Sequence, residues 1–182
     1  MMSLGCGRDL ELRGNNRRMD IRIKDLSQEE ADSFLKILLH RLLEDLREAF
    51  HAEKEKIIIN QNDVWAESSY SRQYYCVYLD EQPYLLVGID KNTNNISSFA
   101  RIVDKPKGYA SDCLKYLIEK RLISQCNNLN PPIPVIYSRV NEGGCKVFGI
   151  MKNNLPIGVS GIEIKPVEGY WSVSIKIGEN RT

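Results

Sequence analysis

The stretch ISSFARIV-D-KPKGYA, residues 96–110, decides the fold. Its first eight residues predict a strand. From Ala110 onward, apolar residues recur at the spacing of an amphipathic helix; these are Cys113, Leu114, Leu117, Ile118 and Leu122. The connecting loop contains Gly108. A small residue there and at Ala110 lets backbone N–H groups approach a ligand, and a helix N-terminus favours a pyrophosphate. The stretch predicts a strand, a phosphate-binding loop and a helix; the alternative is an ordinary strand-to-helix connection.

Upstream of this unit, the pattern predicts a strand, a helix and a hairpin. Residues 19–24 alternate in polarity, as a strand does. Ser27 followed by Glu30 is a capping box, and apolar residues continue at helical spacing to Phe50, as one long helix or two with a bend near Arg47. Residues 74–79 and 84–90 predict the hairpin, with a turn at 80–83 and a second turn at 91–95.

Downstream, a polar loop at 127–134 leads to a strand at 135–140, a helix from Asn141 or Glu142 to Met151, and a final hairpin of 161–165 and 170–177. The short connections favour antiparallel neighbours. The segment 54–71 has no clear assignment. We expect a single α/β domain over residues 19–182, preceded by a flexible leader over 1–18.

Composition excludes several classes of protein. Of 182 residues, 42% are hydrophobic and 27% charged, which is typical of globular domains and not of disordered, collagenous or coiled-coil chains. The net charge is +1, so no global field attracts nucleic acid, and we do not expect it as a partner. No apolar run reaches 18 residues, so we expect no membrane span.

The cysteines indicate a reducing compartment. Their number is odd, five, and they are widely spaced. No spacing of cysteines and the two histidines predicts a zinc site, so we expect no metal and a cytoplasmic location.

Taken together, residues 19–177 resemble the GNAT (general N-acetyltransferase) superfamily. The hairpin ending Val87-Gly88-Ile89 is similar to that family's second and third strands. Residues 105–110 are similar to its acyl-CoA loop, Arg/Gln-x-x-Gly-x-Gly/Ala. Residues 135–141 are similar to its fifth strand and the asparagine that follows.

The resemblance implies a mixed, mostly antiparallel central sheet with helices on both faces and a splay between strands four and five. It implies acetyl-CoA as acyl donor and direct attack of an amine acceptor on the thioester, in a monomer or homodimer. Main-chain groups of strand four would bind the pantetheine arm and stabilise the oxyanion. The implied cofactor-binding residues are Ile102, Val103, Lys105, Lys107, Gly108, Tyr109, Ala110, Ser111, Asn141 and Phe148.

The chain departs from the family pattern in four places, of which one is a connection from Val103 to Lys105 that is shorter than the family's. Lys105 stands where arginine or glutamine is usual, and Gly144 where alanine is common. Phe148 stands where the family often has a tyrosine that protonates the departing thiolate, which phenylalanine cannot do. Tyr137 is then the candidate acid. The possible bases are Glu67, Glu81 and Glu142. The alternative function is a catalytically weak or silent GNAT-fold module that binds acyl-CoA or a partner.

Overall fold

The computed structural model describes residues 19–50, with backbone alone at 42, 43 and 45–50, and residues 71–178. The predicted leader and the unassigned segment before Ser71 lie outside these ranges. The described strands are β1 Ile21–Asp25, β2 Arg72–Leu79, β3 Gln82–Asp90, β4 Ile96–Arg101, β5 Val135–Val140, β6 Val159–Val167 and β7 Tyr170–Ile177. The described helices are α1 Gln28–Phe50, α2 from Ala110 to Asn127, and α3 Glu142–Asn153. Helix α2 consists of three consecutive segments: α-helical Ala110–Leu117, π-helical Ile118–Leu122 and α-helical Ile123–Asn127.

The strands form one mixed sheet in the order β1-β2-β3-β4-β5-β7-β6. Every neighbouring pair is antiparallel except β4 and β5, which run parallel and are paired at Ile96 and Ser138 alone. Beside this pair, the Tyr137 N–H donates to Asn95 Oδ1 at 3.0 Å. Beyond it the two strands diverge. The predicted fold class, a mostly antiparallel sheet with a splay between strands four and five, is confirmed.

Helices cover both faces of the sheet, as predicted. Alternate residues of β2 point to opposite sides. Tyr74 and Cys76 pack with Leu35 of α1 in one cluster. Val77 packs in the other cluster with Leu114 of α2, Phe148 of α3 and the inward residues of β3, β5 and β7.

The predicted capping box opens α1. The Glu30 N–H donates to Ser27 Oγ, and the Ser27 N–H donates to a Glu30 carboxylate oxygen, both at 3.2 Å. The helix then runs unbroken to Phe50, so of the two alternatives the single long helix is correct. No helix in the described ranges is long and apolar enough to cross a membrane.

The structure corrects several predicted boundaries. The β2–β3 turn consists of Asp80 and Glu81 alone, whose φ angles of 46° and 69° are typical of a tight two-residue hairpin turn. Pro83, predicted in the turn, lies in β3 opposite Tyr78, beside a bulge. The proline is tolerated there because a bulge interrupts the ladder. The strand predicted at 96–103 ends at Arg101, and α2, α3 and β6 are longer than predicted.

Two glycines of α3 have opposite surroundings. A Cβ built at Gly144 would lie 2.6 Å from Val140 Cβ and 3.3 Å from Phe99 Cζ, whereas nothing lies within 4 Å of a Cβ at Gly149. The departure from alanine at 144 therefore has a physical reason: α3 approaches the end of β5 too closely for a side chain.

We therefore predict opposite effects for one substitution at two sites of the same helix. Gly149→Ala gains helix propensity and should stabilise the protein by about 1 kcal/mol. Gly144→Ala must displace Val140 and should destabilise it by about 1–3 kcal/mol. Thermal melts measure both, at about 2–4 °C per kcal/mol. A Gly144→Ala protein that melts as high as Gly149→Ala would contradict the close contact.

Candidate functional site

A cleft of about 570 Å³ lies where β4 and β5 diverge. One wall is β4 with Leu85 behind it, the other is the end of β5 and the first turns of α3, and Ala110 of α2 closes one end. The lining residues are Leu85, Ser97, Ser98, Phe99, Ala100, Arg101, Ala110, Arg139, Val140, Asn141, Gly143, Gly144 and Val147.

The β4 wall presents strand backbone to the cleft. On its other side β4 pairs with β3, from Gly88 opposite Ser98 to Leu85 opposite Arg101. Toward β5 it pairs only at Ile96. A strand edge without a partner offers N–H and C=O groups to an extended ligand, which can add as a further strand.

The loop after β4 brings the start of α2 to this cleft. Gly108 has φ +94°, and nothing lies within 4 Å of its Cβ position. The glycine is therefore required for its backbone conformation and leaves open space beside the chain. The Tyr84 hydroxyl donates to the Pro106 carbonyl at 2.7 Å and so holds the loop against β3.

The first helical hydrogen bond of α2 runs from the Cys113 N–H to the Tyr109 carbonyl, at 2.9 Å. The N–H groups of residues 110–112 precede it and have no acceptor within the helix. Asp112 lies in this first turn, where burial raises its carboxyl pKa and Lys115 opposes that rise. The end of the helix facing the loop thus offers free donors to an anion.

An arginine of α1 holds the chain between β4 and the loop. Arg41 Nη1 donates to the carbonyls of Arg101 and Ile102, at 3.2 and 2.6 Å. Its Nη2 pairs with the carboxylate of Asp104. Sequence reasoning missed this contact, because partners 60 residues apart leave no periodic signal.

The structure places two of the predicted cofactor-binding residues, Ala110 and Asn141, in the cleft lining. Asn141 also caps α3, where its Oδ1 accepts the Gly144 N–H at 3.0 Å. The loop residues Lys105, Lys107 and Gly108 are exposed, and Tyr109 and Val103 are half-buried, all beside the cleft and not in its lining.

Three other predicted residues are buried outside the cleft lining. Ile102 is 6% exposed and packs on the α1 side of the sheet. Ser111 is likewise 6% exposed. Phe148 is fully buried, with its ring edge-on to Phe99 at 5.7 Å between centroids. The roles assigned to all these residues stay predictions.

The charged side chains of the cleft are both cations, Arg101 and Arg139. No aspartate, glutamate or histidine belongs to the lining among the described residues. Two of the possible bases lie outside the lining: Glu142 pairs with Lys146 at 3.6 Å, and Glu81 with Arg22 at 3.8 Å. The third, Glu67, lies outside the described residues. Tyr137, the candidate acid, is 52% exposed on β5 and outside the lining.

Three of the described cysteines are buried in the core. Burial raises the thiol pKa of Cys76 to about 11 and also raises that of Cys126 and Cys113, so these thiols stay protonated. Within the described ranges, no group of histidine, cysteine, aspartate and glutamate side chains could hold a metal ion.

Sequence reasoning also missed Arg139 and its partner. The Arg139 guanidinium carbon lies 3.6 Å from the centroid of the Tyr170 ring. The alternation of β5 could have indicated that Arg139 shares a face with Tyr137. The pairing with Tyr170 depends on the register of β5 and β7, which the sequence does not reveal.

We predict that Arg41 stabilises the β4–α2 connection. Arg41→Ala leaves two carbonyls and a carboxylate without their donor and should cost about 1.5–3 kcal/mol, as for hydrogen bonds to charged groups. Arg22→Ala is the matched control, because its pairs with Asp20 and Glu81 are exposed and weak. Denaturant melts measure stability, and hydrogen exchange over residues 102–108 measures the loop. Equal effects of the two substitutions would contradict this role.

No protein-family model and no curated protein sequence matches this chain. Among solved structures, the GNAT domain of PAT from S. lividans is similar at 11% identity and a TM-score of 0.52, over 94% of this chain and 97% of that one. PaiA N-acetyltransferase from Thermoplasma acidophilum in complex with coenzyme A is similar at 14% identity and 0.48, over 86% and 98%. N-acetyltransferase PseH from Campylobacter jejuni in complex with acetyl coenzyme A is similar at 15% identity and 0.46, over 86% and 98%.

Sequence identities this low support a conclusion about the fold alone. The likeness to the PAT domain spans nearly the whole of both chains. It agrees with the mixed sheet that opens between β4 and β5. The chain therefore has the GNAT fold, as the resemblance of its loop and strands predicted.

Proposed function

We propose that this protein is an acetyl-CoA-dependent N-acetyltransferase that moves the acetyl group to an amine. The observation that carries the proposal is the cleft between β4 and β5, which ends at Ala110 and the free N–H groups of α2. An elongated thioester with a phosphate group at one end matches a cleft with strand backbone along its wall and anion donors at its end. The similarity of residues 105–110 to the acyl-CoA loop supports the same ligand.

In this proposal the donor lies along β4. Its pyrophosphate meets the N–H groups of residues 107–111, with Lys105 and Lys107 nearby as counter-charges. The pantetheine arm exchanges main-chain hydrogen bonds with the free edge of β4. The thioester then lies toward the point where Ile96 and Ser138 join the strands.

The reaction is direct transfer. The amine nitrogen attacks the thioester carbonyl carbon, the C–S bond breaks, and the thiolate leaves and takes up a proton. Strand-four N–H groups stabilise the oxyanion. A lysine-like amine, with a pKa of about 10.4, is mostly protonated at neutral pH and must first lose a proton. Because no described aspartate, glutamate or histidine lines the cleft, we assign this step to water. We assign the protonation of the thiolate to Tyr137, which is exposed on β5 outside the lining.

A second candidate is a GNAT-fold module that binds acyl-CoA or a partner without turnover. The observations that favour it are the cleft without an acid or base and the phenylalanine, Phe148, at the family's tyrosine position. Thiol release from acetyl-CoA with a mixed panel of amines decides between the two. Binding of acetyl-CoA without thiol release would favour the module.

We further infer a single acyltransferase domain over residues 19–182 that works in the cytoplasm as a monomer or homodimer. The described ranges form one sheet with cores on both faces. The four described cysteines are free thiols, which suits a reducing compartment.

We predict that Ala110→Asp abolishes tight binding of acetyl-CoA. At an effective dielectric near 20, two like charges about 5 Å apart repel by roughly 3 kcal/mol, which is a loss of about a hundredfold in affinity. Folding should be retained, since an acidic residue suits the first turn of a helix. Ala110→Ser, a small and neutral change, is the matched control.

Paired thermal melts and calorimetric titrations with acetyl-CoA make the measurement. The Ala110→Asp protein should melt normally without ligand and lose the stabilisation that acetyl-CoA confers. Undiminished affinity in a folded Ala110→Asp protein would overturn the loop assignment and the proposed function with it.

A further inference from the structure

We propose that Arg139, stacked on Tyr170, binds the carboxylate of the acceptor. The acceptor would then be an amine that also carries a carboxylate, such as an amino acid. This inference rests on the proposed function and names its substrate class. It would disfavour polyamines, which lack a carboxylate and whose additional positive charges the cleft repels.

The first argument is position. Along β5 the residues Ile136, Ser138 and Val140 are buried, while Tyr137 and Arg139 are exposed. Ile136 and Val140 belong to the core beneath α2 and α3. Since side chains alternate along a strand, Arg139 points to the opposite face of the sheet. The donor enters from the α2 side in our proposal, so Arg139 is available to the second substrate.

The second argument is orientation. A distance of 3.6 Å between the guanidinium carbon and the Tyr170 centroid is a stacking contact. Tyr170 is half-buried in β7, which pairs with β5 so that Arg139 lies opposite Ser172. A guanidinium stacked on its face keeps the N–H donors in its plane free, in the fork that matches a carboxylate.

The third argument is charge. Arg22, Arg41 and Arg121 each pair with a carboxylate. No hydrogen bond or ion pair joins Arg139 to another residue within 19–50 and 71–178. Among the described residues, the cleft lining has one other charged residue, Arg101, whose Nη1 donates to the Asp104 carbonyl. A cation with free donors, in a cleft without acids, is suited to an anionic ligand.

The test compares pools of L-amino acids and of the corresponding L-amino acid amides in acetyl transfer. The two pools share their side chains and differ in the carboxylate. The amide's amino group is the less basic, so intrinsic reactivity favours the amides. We expect the wild type to prefer the acids at least tenfold.

Substitution of the arginine supplies the specific readout. Arg139→Gln should lower kcat/KM for the acids by about 10- to 100-fold, as expected for lost hydrogen bonds to a charged group, mainly through KM. It should leave the amides unaffected. Tyr170→Leu, which removes the stacking partner, should raise KM for the acids by a smaller factor. The control is Lys176→Gln, because Lys176 is a cation of the same sheet face that pairs with Glu163 at 2.8 Å.

Acetyl-CoA affinity separates the possible sources of the bound anion. Unchanged affinity in Arg139→Gln supports an acceptor carboxylate, whereas a loss means that Arg139 binds a phosphate of the donor and overturns the inference. If neither pool is acetylated, calorimetry of the acids in the presence of CoA decides: binding lost in Arg139→Gln supports the inference, and no binding overturns it.

Failure of the proposed function can be distinguished from failure of this inference. If the folded wild type does not bind acetyl-CoA, the function itself is wrong and the inference falls with it. Equal transfer to acids and amides overturns only the role of Arg139 and leaves the acetyltransferase in place.

Discussion

One residue pair, Ile96 and Ser138, joins the two halves of the sheet. On one side of it β1–β4 form an antiparallel unit, and on the other side β5–β7 form a second. Because β4 and β5 separate beyond this pair, the backbone edge of β4 is open and a cleft exists. The core continues beneath the opening through the edge-on contact of Phe99 with Phe148 and the close approach of Gly144 to Val140. The sheet is thus interrupted without an interruption of the hydrophobic core.

The polar groups of this cleft are suited to binding and orientation more than to proton transfer. Its charges are arginines, one directed at a backbone carbonyl and one stacked on a tyrosine. Its other polar groups are strand amides, serines and the capping Asn141. In the proposed reaction such a site would hold two reactants in register and stabilise an oxyanion, and it would leave the removal of the amine proton to water.

Local signals in the sequence predicted most of the fold. The Ser27–Glu30 box, the two hairpins and the strand–loop–helix unit depend on neighbours in the chain, and all are present. The splay between β4 and β5 was predicted from the resemblance to the GNAT family. Contacts across the fold were not predictable: Arg41 meets carbonyls 60 residues away, and Arg139 meets Tyr170 through the register of β5 with β7. The turn predicted at 80–83 is shorter than expected, because Pro83, a residue common in turns, lies in β3 instead.

The π-helical turn Ile118–Leu122 lies inside α2, between its two α-helical segments. A π turn takes up one more residue than an α turn. Leu117 and Leu122, five residues apart across this turn, are both fully buried in the same core. In evolutionary terms, a turn of this kind can accommodate one inserted residue. A relative one residue shorter here would have a regular α-helix, with the residues before and after the turn facing the core as they do in this protein.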